Sequence, residues 1–409
     1  MPDKKTQATA KGPLAGLRVL DFSRILSGPY ASMVLADMGA EVIKIEPLGT
    51  GDETRKFPPF HGPLSHYFIS LNRSKKSVGL NLKSDRGVEI AKSLAKQSDI
   101  VLENFRPGVM EKLGLGYDVL SADNTGLIYA SISGFGADSP LSNMPAFDIV
   151  AQALSGVMSI NGEAGGAPNK LGLPLGDMAG SIFAVFGILA ALQGRNATGH
   201  GQRVEVAMLD SLIAMLGYLG QIYLVTGEAP KAVGSRHPSI VPYGAFPTKD
   251  GYVIVACLTE QFWKNFANCL GLDGLTEDPK FSLYQARLDN RDVLEPIICD
   301  RMEQHTTNYW VDRLTEFDVP NARILDVAQA LEQAHVVTRG LIETVTHPVA
   351  GDMKIVKSPI RFNGQGPAPA RSPSLLNEDT NDVLSSCLGF DSDLIEELIA
   401  EGVIGSVEK

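Results

Sequence analysis

GLRVLDFSRILSGPYASMVLADMGAEVIKIEP, residues 16–47, decides the fold. Leu17–Phe22 is a short apolar run that reads as a strand, and Ser27-Gly28-Pro29 turns the chain. Tyr30–Met38 places its apolar residues at helical spacing and stops at Gly39, a glycine suited to a helix C-terminus. Ala40–Ile45 is a second apolar run. Strand, helix and strand in about thirty residues form a β-α-β unit, whose strands lie parallel and need helices on the sheet faces. The turn FSRILSGPY lacks the GxGxxG of a dinucleotide-binding fold, so Glu46 reads as a loop or capping acid, not a ribose ligand.

Outward from this unit the alternation continues. Lys76–Leu82, Ile100–Glu103, Gly126–Ser133 and Arg203–Met208 read as further strands. Ser84–Gln97, Val109–Leu113, Ile149–Val157 and a long apolar segment, Leu209–Val225, read as helices. About two hundred residues of this pattern predict an α/β fold with a parallel sheet of roughly six strands. From 227 the texture changes, and aromatic and β-branched residues around Lys249-Asp250-Gly251 signal a hairpin. The expected organisation is a tail at 1–11, a large domain at 12–226, a smaller α+β domain at 227–325, and a segment at 326–409 returning to the large domain. Ser358–Pro373 reads as an extended crossing stretch, followed by an amphipathic helix near Asp382–Leu388.

Composition sets bounds on function. The net charge of −11 offers no basic field for a nucleic-acid backbone. The four cysteines, Cys257, Cys269, Cys299 and Cys387, are scattered without a CxxC pair, the pattern of reduced thiols in a cytoplasmic protein, with neither a disulfide frame nor a metal site. The apolar run Ile182–Leu192 is too short to span a membrane, and the N-terminus has no signal-peptide pattern.

Chemistry concentrates in loops that follow strand ends. Ser23–Pro29, Asn72–Ser77, Glu103–Gly108 and Ser131–Gly136 bring cations, a flat aromatic and bare glycine backbone to one sheet edge. That combination suits a phosphorylated ligand with an aromatic base, such as a nucleotide or coenzyme A. LGLPLGDMAGSIFAVFGILAAL, Leu171–Leu192, sets the Gly176-Asp177 pair where a buried apolar helix begins. There Asp177 reads either as a helix cap or as a nucleophile among glycines that admit close backbone approach.

Taken together these stretches resemble the class III coenzyme A transferases, the family of formyl-CoA transferase and carnitine CoA-transferase. Residues 16–47, GDETR at Gly51–Arg55, VLENFRPGVMEKLGLGY at Val101–Tyr117, SISGFG at Ser131–Gly136, the Asp177 segment, TGHGQRVEVAMLD at Thr198–Asp210 and HPSIVPYGAFPTKDG at His237–Gly251 carry the resemblance. It implies a Rossmann-like large domain, a small domain and a homodimer of interlocked ring-shaped chains. It also implies that Asp177 is the nucleophile, and that coenzyme A contacts fall on Arg24, Ile25, Ser27, Leu80, Lys83, Asn104, Phe105, Arg106, Lys112 and Leu113. No tightly bound cofactor is implied, since coenzyme A thioesters are the substrates.

Three departures stand out. Pro47 replaces a phosphate-binding arginine, leaving Arg55 or Arg73 as substitutes; Leu26 replaces a glutamine beside the nucleophile; and the glycine-rich flap is missing before the hairpin. With these departures the chain looks closer to the branch that uses succinyl-CoA with dicarboxylates such as malate, citramalate, itaconate, mesaconate or glutarate. His237 and Tyr243 are candidate acyl-pocket contacts, and Asp148 is a candidate electrostatic support or the cap of its own helix. Two other readings compete: an α-methylacyl-CoA racemase, whose catalytic histidine would stand near Phe147, and a coenzyme A-binding protein without activity.

Overall fold

A computed structural model describes residues 12–407, and the expected N-terminal tail lies outside them. The chain groups into two units. The first comprises residues 12–157, Leu171–Gln221 and 337–407. Its sheet is built from β1 (Arg18–Asp21), β2 (Glu41–Glu46), β3 (Lys75–Gly79), β4 (Ile100–Glu103), β5 (Ile128–Ser133) and β6 (Arg203–Ala207). All six are parallel, in the order β3-β2-β1-β4-β5-β6. The order reverses between β1 and β4, and such a reversal opens a crevice beyond the carboxyl ends of those strands.

Both faces of this sheet are covered, which is why its strands read as unbroken apolar runs. Val19, Ile100, Leu102 and Ile128 pack on one face with α1 (Ser27–Asp37), α4 (Leu175–Thr198) and α5 (Met208–Met215). Leu20, Ile43, Val78 and Val101 pack on the other with α2 (Asp85–Lys96). Local chemistry sets the helix ends. Pro29 stands in the first turn of α1, where its missing N–H costs nothing, and Gly39 takes φ 102° just beyond its end. Ser84 caps α2 by accepting from the Gly87 N–H. A further short helix, α3 (Asp148–Leu154), precedes α4.

Helix α4 runs 24 residues and stops at Gly199, φ 75°. By length and apolar content it passes for a membrane span, well beyond the apolar stretch read from the sequence, yet half of its central part is buried in the protein. The expected long helix at Leu209–Val225 is instead broken. Helix α5 and the helix Tyr218–Thr226 meet at a bend of 76°, with Gly217 at φ 53° between them. A residue in that backbone region cannot continue a right-handed helix. No residue of the helix Tyr218–Thr226 is buried, and Tyr223, Leu224 and Val225 present exposed apolar surface.

The second unit comprises Met158–Lys170 and Ile222–Val336. Residues 158–170 and 326–336, assigned elsewhere by the sequence reading, therefore group here. Asn161 donates to the Asn169 carbonyl at 2.9 Å, and the Gly234 N–H donates to the Gly162 carbonyl at 2.9 Å, which ties the shorter segment in place. The expected hairpin is present: β7 (Tyr243–Thr248) and β8 (Gly251–Ala256) pair antiparallel around Lys249-Asp250, and β9 (Asn321–Arg323) adds to β8. Helices α6 (Glu260–Leu270), α7 (Arg291–Met302) and α8 (Thr307–Glu316) cover this sheet around buried Trp263, Phe266 and Trp310.

The returning segment rejoins the first unit with a hairpin that the sequence reading missed, β10 (Ile342–His347) and β11 (Gly351–Val356). It then forms α9 (Thr380–Leu388) and a further unexpected helix, α10 (Ser392–Ala400). This segment closes the outer edge of β3. Ser77 and Asp379 exchange hydrogen bonds at 2.8 and 3.0 Å, Thr380 accepts from the Gly79 N–H at 3.2 Å, and Gly405 donates to the Gly79 carbonyl at 3.1 Å.

Candidate active site

The loop after β1 passes through Ser23-Arg24-Ile25-Leu26 into α1, at the sheet reversal. Its backbone is held by side chains. Asp21 accepts from the Ser23 N–H at 2.9 Å. Asn104, just past β4, accepts from the Arg24 N–H and donates to the Arg24 carbonyl, both at 2.8 Å. The same Asn104 amide donates to the Ser27 hydroxyl oxygen at 3.1 Å. The Ser27 side chain in turn acts on the carboxylate of Asp177, favouring its charged form.

Asp177 is the third residue of α4 and does not serve as the expected cap; the N-cap position belongs to Pro174, which makes no side-chain capping bond. Its backbone carbonyl accepts from Ser181 Oγ at 2.6 Å, and that hydroxyl also lies 2.6 Å from the Ser27 carbonyl. Asp148 holds the approach to α4. One carboxylate oxygen accepts from the Gly176 N–H at 2.7 Å and the other from Gln152 Nε2 at 2.7 Å. Gln152 also accepts from the Leu171 N–H at 2.9 Å. A Cβ on residue 176 would stand 3.1 Å from Asp148, so the Gly-Asp pair keeps its glycine for close approach.

Burial, then the neighbouring Asp148 carboxylate, push Asp177 up to about 7, although a helix N-terminus favours the ionised form. The Ser27 hydrogen bond pulls the other way and is outweighed. Tyr67, half-buried, is raised by burial and by the charges of Asp177, Asp148 and Asp52. Neither Tyr67 nor the buried Glu103 was singled out from sequence. Glu103 accepts from the Phe105 N–H at 2.8 Å and is pushed up to about 8 by burial.

Asp177 and the 23–27 loop face one cavity of about 540 Å³. Arg24, Ile25, Ser27, Asn104, Phe105, Arg106 and Asp177, all singled out in the sequence, line it together, as do Leu26, Gly134, Gly136 and Phe147. The Arg24 guanidinium lies 4.9 Å from the Phe105 ring centre and pairs with Glu53 at 2.7 Å. The other four expected contacts lie outside the cavity lining. Leu80 is buried and bridges to Ile404, Leu113 packs into the core, and Lys83 and Lys112 are exposed.

The cations expected at the 72–77 loop and in place of the arginine at Pro47 are turned inward. Arg73 pairs with Asp37 at 2.5 Å and Lys75 with Asp21 at 3.3 Å, all four side chains buried. Arg55 chelates Glu46 at 2.7 and 2.8 Å and lies on the Phe68 ring, so Glu46, read from the sequence as a loop or capping acid, is instead the buried end of β2 held in an ion pair. Lys76 pairs with Glu41 at 2.9 Å. His237 and Tyr243 belong to the second unit, where their rings lie 5.3 Å apart.

A partly buried carboxylate at a cavity wall, with hydroxyl and amide donors behind it and arginines and an aromatic ring beside it, is equipped for nucleophilic attack on an anionic, ring-bearing thioester. The comparisons agree with this chemistry. The sequence pattern of CoA-transferase family III matches residues 14–380. The chain is 36% identical to succinyl-CoA:glutarate CoA-transferase of Homo sapiens, over 97% of this chain and 91% of that protein. It is 36% identical to acetyl-CoA:oxalate CoA-transferase of Acetobacter aceti (88% and 91% covered) and 37% identical to succinyl-CoA:mesaconate CoA-transferase of Haloarcula marismortui (91% and 96%). In structure it is similar to a CAIB/BAIF family protein from Brucella suis, with a TM-score of 0.82 at 31% identity over 92% of this chain and all of that one.

Proposed function

The chain belongs to CoA-transferase family III and is a CoA-transferase, and from that premise we propose that it moves coenzyme A from succinyl-CoA to a dicarboxylic acid, with Asp177 as the nucleophile. The observation that carries this reading is the meeting of Asp177, Ser27 and Asn104 in a cavity walled by Arg24, Phe105 and Arg106.

In this mechanism an Asp177 carboxylate oxygen attacks the donor thioester carbonyl and the C–S bond breaks. The products are an aspartyl-succinyl anhydride and the coenzyme A thiolate. The thiolate then attacks the aspartyl carbonyl, expels succinate and leaves an aspartyl-CoA thioester. The acceptor carboxylate attacks that thioester, and the released thiolate attacks the acceptor's carbonyl in the second anhydride, restoring Asp177. Each step exchanges one anionic leaving group for another, so no general base is needed once Asp177 has lost its proton. Asp148 acts through the backbone: by gripping Gly176 it fixes the turn that aims Asp177, and its charge raises the basicity of the nucleophile. The stacked Arg24–Phe105 pair and Arg106 suit the adenine and phosphates.

The acceptors named for the three relatives, glutarate, oxalate and mesaconate, differ in length but share a second carboxylate. That shared group is the basis for a diacid acceptor, since a site built to pair a distal anion leaves polar groups unpaired with a monoacid. The bare apolar surface of the helix Tyr218–Thr226 supports a homodimer, with the interlocked form taken from the family resemblance.

The test has two arms. Incubation with succinyl-CoA alone, followed by borohydride reduction, should convert Asp177 to homoserine in its peptide, and an unmodified Asp177 alongside a working enzyme would rule out the nucleophile. With acceptor added, diacids of two to five carbons should exceed butyrate in kcat/KM by roughly 10- to 1000-fold. Equal values would remove the distal-anion site.

A further inference from the structure

Ile25, at the cavity wall, has φ 66°. A β-branched residue is rarely found in that left-handed region, and it persists only where its surroundings hold it there. The holding groups are visible. The Ile25 N–H points at both oxygens of Asp52, 3.3 Å each. Asp52 pairs with Lys44 at 3.0 Å, with 0% and 1% of their side chains exposed. Lys44 also donates to the Ser23 carbonyl at 2.7 Å, two residues before Ile25. Asp52 is fixed in turn by the Thr54 N–H at 2.9 Å and hydroxyl at 2.8 Å. No step of the chemistry uses this pair.

We propose that Lys44 and Asp52 are positioning residues that clamp the strained 23–27 loop, so that Ile25 and Ser27 meet the acyl-CoA in a preformed shape. The proposal rests on the coenzyme A reading for its ligand but not for its geometry. Both groups are held ionised: against the cost of burial, the mutual attraction keeps the carboxyl well below its usual range and the ammonium above its own. Glu46 and Asp21 have partners of their own in Arg55 and Lys75, and Lys44 adds its attraction to both acids.

The double substitution Lys44→Met with Asp52→Leu tests this, since replacing a buried ion pair by apolar groups of similar size is often neutral for folding. The expected result is a melting temperature within a few degrees of the parent and a KM for succinyl-CoA raised 10- to 100-fold, with kcat changed less than tenfold. Adding Ile25→Gly should recover at least threefold of the lost KM, because glycine adopts positive φ unaided; a pair that served only overall stability would give no such recovery. An unchanged KM in the double variant overturns the proposal.

Hydrogen exchange at the amides of residues 23–27 reads the same clamp without any ligand. Faster exchange there, with β1 and the body of α1 unaffected, supports it; unchanged exchange overturns it. Should the double variant not fold, Asp52→Asn, which keeps the side-chain shape, carries the same exchange comparison. If the parent neither binds nor transfers coenzyme A, the functional reading fails, and the exchange result still decides the clamp.

Discussion

Asp52 and Asp177 sit on opposite sides of one loop, both largely buried, and their surroundings drive them apart. Asp52 has a buried ammonium at 3.0 Å and the donors of Thr54, which overcome the cost of burial and hold it well below the usual carboxylate range. Asp177 has one hydroxyl donor, no cation among the causes that shift it, and a second carboxylate nearby, so burial prevails and it titrates at about 7. The same side chain is thus a fixed strut in one place and, in the proposed mechanism, a basic oxygen nucleophile in the other. The difference lies chiefly in the partners, since desolvation pushes both acids in the same direction.

The largest effect should come from removing the nucleophile. Asp177→Asn is expected to lower kcat by roughly 10³- to 10⁶-fold while leaving coenzyme A binding intact, measured by steady-state rates and calorimetry. A variant that kept a tenth of the activity would end the contrast. Next comes the strut. Asp52→Ala strands the buried Lys44 ammonium and should cost about 3–5 kcal/mol of stability in urea unfolding, far more than the paired replacement.

The third prediction concerns pH. In the unfolded chain Asp177 ionises near 4, and in the folded protein near 7, so the native state binds the proton more tightly and loses stability as pH rises through that window. Asp177→Asn should therefore be more stable than the parent by about 4 kcal/mol at pH 8 and indistinguishable from it at pH 3. In the parent, kcat/KM should climb with pH toward a plateau above about 7, since only the ionised carboxylate attacks. A flat profile, or a stabilisation equal at both pH values, would place Asp177 with the struts. The smallest effect belongs to Glu53→Gln: its pair with Arg24 is two-fifths exposed or more on each side, and stability should shift by about 0.5 kcal/mol or less.

Much of the sheet was legible because a parallel strand covered on both faces is an apolar run with nothing to confuse it, as in Ile100–Glu103. The break at Gly217 was not, since a glycine among apolar helical residues carries no mark of its sign of φ. Arg55, Arg73 and Lys75 were misread as ligand cations because their partners, Glu46, Asp37 and Asp21, lie 9 to 54 residues away. Asp177 was visible from its Gly-Asp junction, but its grip through Asp148, 28 residues from Gly176, needed the fold. Lys44 offered one signal: a charged residue inside the apolar run EVIKIE must either break the strand or meet a buried partner.

The closing of the β3 edge bears on how the chain is made. The groups that complete Ser77 and Gly79 lie about 300 positions later, in Asp379 and Thr380. At ordinary rates of synthesis a ribosome needs roughly 15–60 s to cover that distance. For that interval every nascent chain carries a parallel sheet margin with unpaired N–H and C=O groups, open to any neighbouring strand. Chains stalled before residue 374 should accumulate on chaperones or aggregate, and crowded polysomes should suffer most.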